Sequence, residues 1–225
     1  MTTVSWSENG APRTARWRSE NGAPAPRDLV VITDDISADK ALRLIRSGTG
    51  LLWRGDFHNA RQLLRAIDRR LEKRASPTPP GADPGGGDLA NRRARAHRAA
   101  ILGKILIPLE PDHSIRLRRA PDARDACAHA YGPEGVGGDD DVGGETLVSL
   151  PEFLGVISAN EWHRMGIEVA ALGARIHPAH GVFAPTRDEY IDLVADAPWP
   201  RGVDQPVVWD IGTGTGVLAA VLARR

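Results

Sequence analysis

Glycines at every second position late in the chain mark the stretch that is most able to bind a ligand. The stretch from Val207 to Leu218 reads VVWDIGTGTGVL, which predicts a short buried strand ending in Asp210, then a tight turn and the start of a helix. Glycine lets a backbone approach a ligand closely, and a helix N-terminus presents unpaired N–H groups. This order of elements predicts a site for a nucleotide-type cofactor.

The spacing of the glycines argues against two common nucleotide sites. A dinucleotide-binding turn requires G-x-G-x-x-G, and the last of those positions is Val217 in this chain. A phosphate-binding P-loop requires Gly-Lys-Ser/Thr, and the sequence has no lysine after Lys104. An NAD-dependent oxidoreductase is therefore the weakest of the functions considered.

The motif Asp210-x-Gly212-x-Gly214-x-Gly216 resembles motif I of the class I S-adenosylmethionine-dependent methyltransferases. Upstream, Val182-Phe183-x-Pro185 is similar to the segment before motif I in methyltransferases of the release-factor glutamine and small-domain type. The resemblance implies a Rossmann-like domain and S-adenosylmethionine as cofactor, a phosphate-free cation that suits a nearby carboxylate. The cofactor-binding residues it implies are Asp210, Gly212, Thr213, Gly214, Thr215, Gly216, Phe183 and Pro185.

A second stretch, RGDFHNARQLL from Arg54 to Leu64, looks like the N-terminal region of a group of bacterial methyltransferases. It suggests that the chain from about residue 37 belongs to one such protein, and it implies methyl transfer to a nitrogen of a protein or nucleic acid. In the family an Asn-Pro-Pro-aromatic motif positions that nitrogen, and this sequence has none. We therefore expect an inactive N-terminal portion of such an enzyme, with no catalytic residues and with weak cofactor binding or none.

Charge is distributed unevenly along the chain and suggests an alternative function. Residues 54–119 contain 15 Lys and Arg against 7 Asp and Glu, whereas residues 120–204 contain 5 against 15. Two faces that attract each other are the simpler explanation. The alternative is a non-catalytic nucleic-acid-binding module whose arginine-rich helices, around residues 61–74 and 92–98, contact phosphates.

Metal binding has little support in the sequence. Cys127 is the single cysteine, which excludes a disulfide within the chain and a multi-cysteine zinc site. The acidic run 139–141 lacks the spacing of a calcium loop, and Pro178 between His177 and His180 argues against a helical pair of metal ligands. Neither a membrane-spanning run nor an apolar signal segment is present, so a cytoplasmic protein with no membrane partner is the default expectation.

The predicted fold class is α/β, with a mainly helical N-terminal region containing short strands, followed by the first β–α unit of a Rossmann-like domain. Residues 1–28 contain the hexapeptide SENGAP twice and are rich in Gly, Pro and Ser, which predicts a disordered tail. Residues 29–180 are predicted to face the substrate, with flexible loops at 75–88 and 132–146. The cofactor domain is predicted to begin at residue 181.

Apolar spacing and capping residues predict the main elements. Ser37 and Asp56 are expected to cap helices, the second of which has apolar residues at spacings of three and four. Ser149 is expected to open a further helix that runs to about residue 165. Residues 105–109 and 114–118 are predicted to form a hairpin in which Pro108 marks an edge strand.

Overall fold

The computed structural model describes residues 2–74, 84–133, 144–185, 187–199, 201–202 and 206–225. Within these residues the protein is a mixed α/β structure with seven α-helices, a six-stranded mixed sheet and a separate two-stranded ladder. The chain divides into two compact units. Unit 1 is Met1–Arg124 with Pro133–Gly155, and unit 2 is Asp125–Gly132 with Val156–Arg225, a division that differs from the predicted boundary at residue 181.

The large sheet lies in unit 1, and the small ladder lies in unit 2. The strands are β1 (Thr3–Glu8), β2 (Ala11–Trp17), β3 (Leu29–Ile32), β4 (Gly50–Trp53), β5 (Ile105–Leu109), β6 (Thr146–Ser149), β7 (Ile167–Val169) and β8 (Ala174–Ile176). The helices are α1 (Ala38–Arg46), α2 (Phe57–Arg74), α3 (Pro84–Leu102), α4 (Arg124–Tyr131), α5 (Leu150–Met165), α6 (Glu189–Asp196) and α7 (Val217–Ala223).

The six strands of the large sheet follow the order β1-β2-β6-β5-β4-β3. β3, β4 and β5 are parallel to one another, so each connection between them must cross over the sheet, and α1, α2 and α3 lie in those connections. Every residue of β4 is buried, as expected of a strand covered on both faces. β6 runs antiparallel to β5 and parallel to β2.

The sheet curls, so that β1 and β3 approach each other although they form its opposite edges. Val4, Trp6 and Ala15 of the first two strands form one buried cluster with three leucines of the central strands. These leucines are Leu52, Leu106 and Leu147. The curled sheet therefore encloses an apolar interior that the first two strands help to close.

The prediction of a disordered tail over residues 1–28 is wrong, because β1 and β2 form an antiparallel hairpin there. Asn9 and Gly10 make its two-residue turn with φ values of 53° and 79°, and a type I′ turn requires positive φ at both positions. The Asn-Gly pair and the alternation of Val4 and Trp6 with serines were the signals for this hairpin. Burial of Val4 and Trp6 offsets the conformational entropy that is lost when the hairpin becomes ordered.

The predicted hairpin between residues 105–109 and 114–118 is also wrong. The first segment is β5, which pairs with β4 and β6, and the second has no strand structure. Pro108 therefore lies in an interior strand. The missing N–H is tolerated because the pairing with β4 ends at Leu106, so β5 has a partner only on the β6 side at that level.

The predicted helix caps are confirmed in unit 1. The Ser37 hydroxyl accepts a hydrogen bond from the Lys40 amide at 3.2 Å, and the Ser149 hydroxyl accepts one from the Glu152 amide at 3.3 Å. Asp56 accepts the amide of His58 through its carboxylate at 2.9 Å. Each of these bonds satisfies one of the unpaired N–H groups at the start of a helix.

The two predicted flexible loops fall largely outside the described residues, at 75–83 and 134–143. The backbone that is described differs from the prediction at one edge of each loop. Helix α3 already begins at Pro84, and strand β6 begins at Thr146.

Unit 2 is built around a small core of its own. Val169, Ile191, Val217 and Val221 are buried together, from β7, α6 and α7. Two short strands of this unit, β7 and β8, pair with each other in an antiparallel ladder. In the part of the chain that is described, every helix is too short or too polar to cross a bilayer.

Candidate cofactor site

The glycine motif forms the tight turn that its sequence predicts. Gly212, Gly214 and Gly216 have φ values of 78°, 54° and 76°, a region that residues with a side chain rarely occupy. Helix α7 follows directly, with Gly216 immediately before its first residue. Val217 and Val221 then attach this helix to the core of unit 2, which fixes where the turn lies.

Phe183, predicted from a separate part of the sequence, lies against this turn. The Thr215 amide donates a hydrogen bond to the Phe183 carbonyl oxygen at 3.1 Å. A Cβ atom on Gly214 would come within 2.5 Å of the same oxygen, so the approach of the two segments requires glycine at this position. The structure therefore brings the upstream segment and the glycine motif together.

Asp210 stands at the entrance of the turn with part of its side chain exposed. The Thr213 hydroxyl donates to one of its carboxylate oxygens, Oδ2, at 3.0 Å. The other oxygen has no hydrogen-bond partner in the described part of the chain. Space is open over Gly212, where an added Cβ would meet no atom within 4 Å. The turn thus presents a carboxylate beside an accessible backbone.

The other predicted pocket residues differ in exposure. Pro185 is buried, whereas the Phe183 side chain is 73% exposed. The Thr215 hydroxyl oxygen is buried and has no hydrogen-bond partner among the described residues. A buried, unsatisfied hydroxyl is unfavourable, and a polar ligand group would remove that penalty.

The predicted buried strand at residues 207–209 is not formed. Val207 and Trp209 are each 84% exposed and Ile211 is 93% exposed, and residues 206–210 have no regular secondary structure. A strand needs a neighbour to satisfy its backbone groups and cover its side chains. In unit 2 the described strands, β7 and β8, pair only with each other.

The arginine-rich helices α2 and α3 carry one arginine that bridges them and a set of cations that are exposed. Arg98 of α3 contacts Asp68 and Glu72 of α2 at 2.5 Å and 2.7 Å, and these hydrogen bonds raise its pKa. Arg65, Arg69 and Lys73 are exposed at successive intervals of four residues along α2. Side chains at this spacing lie on one face of a helix. Residues 89–97 of α3 are also exposed, including Arg92, Arg93 and Arg95.

A charged network that the sequence did not reveal lies where the parallel strands of unit 1 end. Arg54, directly after β4, bonds both oxygens of Glu8 at 2.9 Å and 3.0 Å and both oxygens of Glu145 at 2.8 Å and 3.0 Å. Burial opposes the charge of Arg54, but the bonds to Glu145 and Glu8 outweigh it and raise its pKa. Burial would likewise raise the pKa of Glu8, and the bonds from Arg54 and Trp6 lower it instead.

A second network surrounds Asp56, whose side chain is fully buried. Arg118 and Arg119 each donate through Nε to its Oδ2 at 2.7 Å. The bond from Arg119 is the largest influence on the Asp56 pKa, burial opposes it, and the His58 amide and Arg118 help to lower the pKa to about 2. Two residues of the segment RGDFHNARQLL, Arg54 and Asp56, therefore hold together parts of unit 1 that are distant in the sequence.

Three histidines of unit 2 form a stack, and two of them, His129 of α4 and His163 of α5, lie in helices. The ring centroids of His129 and His163 are 4.1 Å apart, and those of His163 and His177 are 6.1 Å apart. Among the described residues there is no group of three or more His, Cys, Asp or Glu side chains placed to hold a metal ion. The acidic run 139–141 lies outside the described residues.

No family model matches the chain, and no curated protein matches it.

Proposed function

We propose that the turn from Asp210 to Gly216 binds S-adenosylmethionine and that the protein is a class I methyltransferase. The observation that carries this proposal is the hydrogen bond from the Thr215 amide to the Phe183 carbonyl, with Gly214 too close to that carbonyl for any side chain. It joins two of the three segments in which the sequence resembles methyltransferases.

The chemistry of the turn suits a phosphate-free cation. Asp210 offers a carboxylate oxygen that no described residue occupies, while Thr213 orients the other one. The sequence has no Lys or Arg between Arg201 and Arg224, so a phosphate group would meet no cationic side chain within this stretch. The ammonium group of S-adenosylmethionine would pair with Asp210.

The proposed reaction moves a methyl group to a nitrogen of a protein or nucleic acid. When bound, S-adenosylmethionine supplies a methyl carbon attached to a positively charged sulfur, which a nitrogen lone pair can displace. Positioning and electrostatics are the main requirements of such a displacement. Asp210, Thr213 and the glycine backbone would position the cofactor, and no described residue is assigned a catalytic role.

Backbone amide NMR of the full chain with S-adenosylhomocysteine, the stable product form of the cofactor, tests the proposal. We expect saturable shifts at Gly212, Gly214 and Thr215, which Asp210→Asn should abolish. Asp196→Asn is the matched control, because Asp196 is an exposed carboxylate at the end of α6 in the same unit. Shifts that persist in Asp210→Asn, or none in the parent chain, would refute the proposed site.

The exposed cations of α2 and α3 favour a second candidate, binding to the phosphates of RNA or DNA. A fluorescent duplex oligonucleotide should bind at low salt, and neutralising Arg65, Arg69, Arg92 and Arg95 together should reduce the salt dependence. Each phosphate contact contributes about 0.9 to the slope of log affinity against log salt. The control is Arg98→Gln, since Arg98 is occupied by Asp68 and Glu72. A lack of binding at low salt would rule this candidate out.

A further inference from the structure

A polar cavity of about 630 Å³ opens in unit 1 at the end of the curled sheet where β4 and β5 finish. The size is within the usual range for small-molecule sites, and ligands commonly bind at the carboxyl ends of parallel strands. Three glutamates and three arginines dominate its lining. The lining residues are Glu8, Pro12, Arg13, Thr14, Arg54, Glu110, Arg116, Gly144 and Glu145.

Arg54 is already committed within the protein. It uses four of its five N–H groups on Glu8 and Glu145. Glu8 also accepts the Trp6 indole N–H at 3.1 Å, which leaves it little capacity for a ligand. Arg54 and Glu8 therefore form a fixed wall.

The other charged groups of the cavity retain capacity for a ligand. Arg13 makes no hydrogen bond or ion pair in the described part of the chain, although its charge lowers the Glu8 pKa. Arg116 has one ion pair, at 3.3 Å to Glu110, and its side chain is 82% exposed. Each carboxylate oxygen of Glu145 accepts one bond from Arg54 and has a second acceptor position remaining. The cavity thus offers two guanidinium groups and two carboxylates.

This balance of charge selects among ligand classes. A lone anion would face three carboxylates, and a lone cation would face three guanidinium groups. Among the described lining residues there is no aromatic side chain on which a nucleobase could stack. A small molecule with one group of each sign is the ligand that both sets of side chains can satisfy.

We propose that this cavity binds a zwitterion of the amino-acid or short-peptide type, with its carboxylate at Arg13 and Arg116 and its ammonium at Glu145 and Glu110. The proposal concerns unit 1 alone and does not rest on cofactor binding by the glycine turn. Either one can fail without the other.

The test is an amide NMR titration of the full chain with triglycine, which carries both terminal charges and no side chain. We expect saturable shifts at Thr14, Gly144 and Arg116 with a dissociation constant of about 1 mM, as for a weak polar ligand. N-acetyl-triglycine and triglycine amide each lack one charge, and each should bind at least about tenfold more weakly.

Arg13→Gln combined with Arg116→Gln should abolish the shifts caused by triglycine, and Glu145→Gln should weaken them. Arg43→Gln is the matched control, because Arg43 is an exposed arginine of α1 that is not part of the lining. The amide spectrum of each variant shows whether it remains folded. Equal binding of triglycine and triglycine amide, or no saturable shift with about 20 mM triglycine, would overturn the proposal.

Discussion

The two charged sites of the molecule differ in how the chain supports them. At the end of the sheet in unit 1, Arg54 connects residues 46 positions before it and 91 positions after it, and all three side chains are partly buried. In unit 2 the glycine turn is formed by residues within seven positions of one another. A backbone hydrogen bond joins it to Phe183, and the apolar residues that precede it are exposed. Unit 1 has an internally paired site among partly buried side chains, whereas the glycine turn has a defined shape but is preceded by exposed residues.

The difference shows that a motif that is conspicuous in the sequence need not be the site that the structure supports best. The glycine motif is visible in the sequence because its signal is local. The Arg54 network is not visible because it depends on the curl of the sheet, which joins β1 to β4 across strands that lie between them in pairing order.

The largest difference in stability is expected between variants of one tryptophan from each region. Trp6→Ala should lower the free energy of unfolding by about 3–5 kcal/mol, because Trp6 is buried in the interior of the curled sheet. Trp209→Ala should change it by less than about 0.5 kcal/mol, because that side chain is 84% exposed. Urea denaturation followed by circular dichroism measures both. Equal losses would remove the contrast between the two regions.

The next largest effect is expected for Arg54→Ala. It should lower the free energy of unfolding by about 3 kcal/mol, because it leaves Glu8 and Glu145 without their shared cation. The control is Arg18→Ala, whose partner Glu20 is more exposed, and there the loss should stay below about 1 kcal/mol. A loss at Arg54 no greater than that at Arg18 would mean that the network contributes nothing to stability.

Asp56 should make the stability of unit 1 depend on pH in acid. Because folding lowers its pKa from the ordinary 3.8 to about 2, its contribution is complete above about pH 4 and disappears as the pH falls through 2. Asp56→Asn should remove this part of the pH dependence in urea denaturation, while Asp39→Asn at an exposed position should retain it. Parallel pH profiles for the parent chain and Asp56→Asn would contradict the assignment.

Substitution of single glycines in the turn should have smaller effects. Gly214→Ala should cost about 1–3 kcal/mol locally and accelerate hydrogen exchange at the Thr215 amide, because the new methyl group would displace the Phe183 carbonyl. Gly212→Ala has a similar φ but open space, so the Thr215 amide should remain protected. If both variants exchange equally fast, the contact with Phe183 does not hold the turn.

Local signals predicted local structure well. The caps at Ser37, Asp56 and Ser149 and the helix after Gly216 followed from residue types a few positions apart. The contact between Phe183 and the glycine turn agrees with their joint assignment to one pocket, but cofactor binding by that pocket stays a prediction. The prediction of a strand at 207–209 was wrong, because an apolar run in the sequence does not show whether a neighbouring strand is present to cover it.

The most direct test of cofactor binding at the glycine turn is equilibrium dialysis of the full chain against radiolabelled S-adenosylmethionine, with NAD as a competitor. We expect weak binding, with a dissociation constant of about 1 mM, because the exposed residues around Asp210 provide little enclosure. NAD should not compete, and Asp210→Asn should remove the binding. Undetectable binding at about 10 mM, or displacement by NAD at similar concentrations, would contradict the assignment of the turn to S-adenosylmethionine.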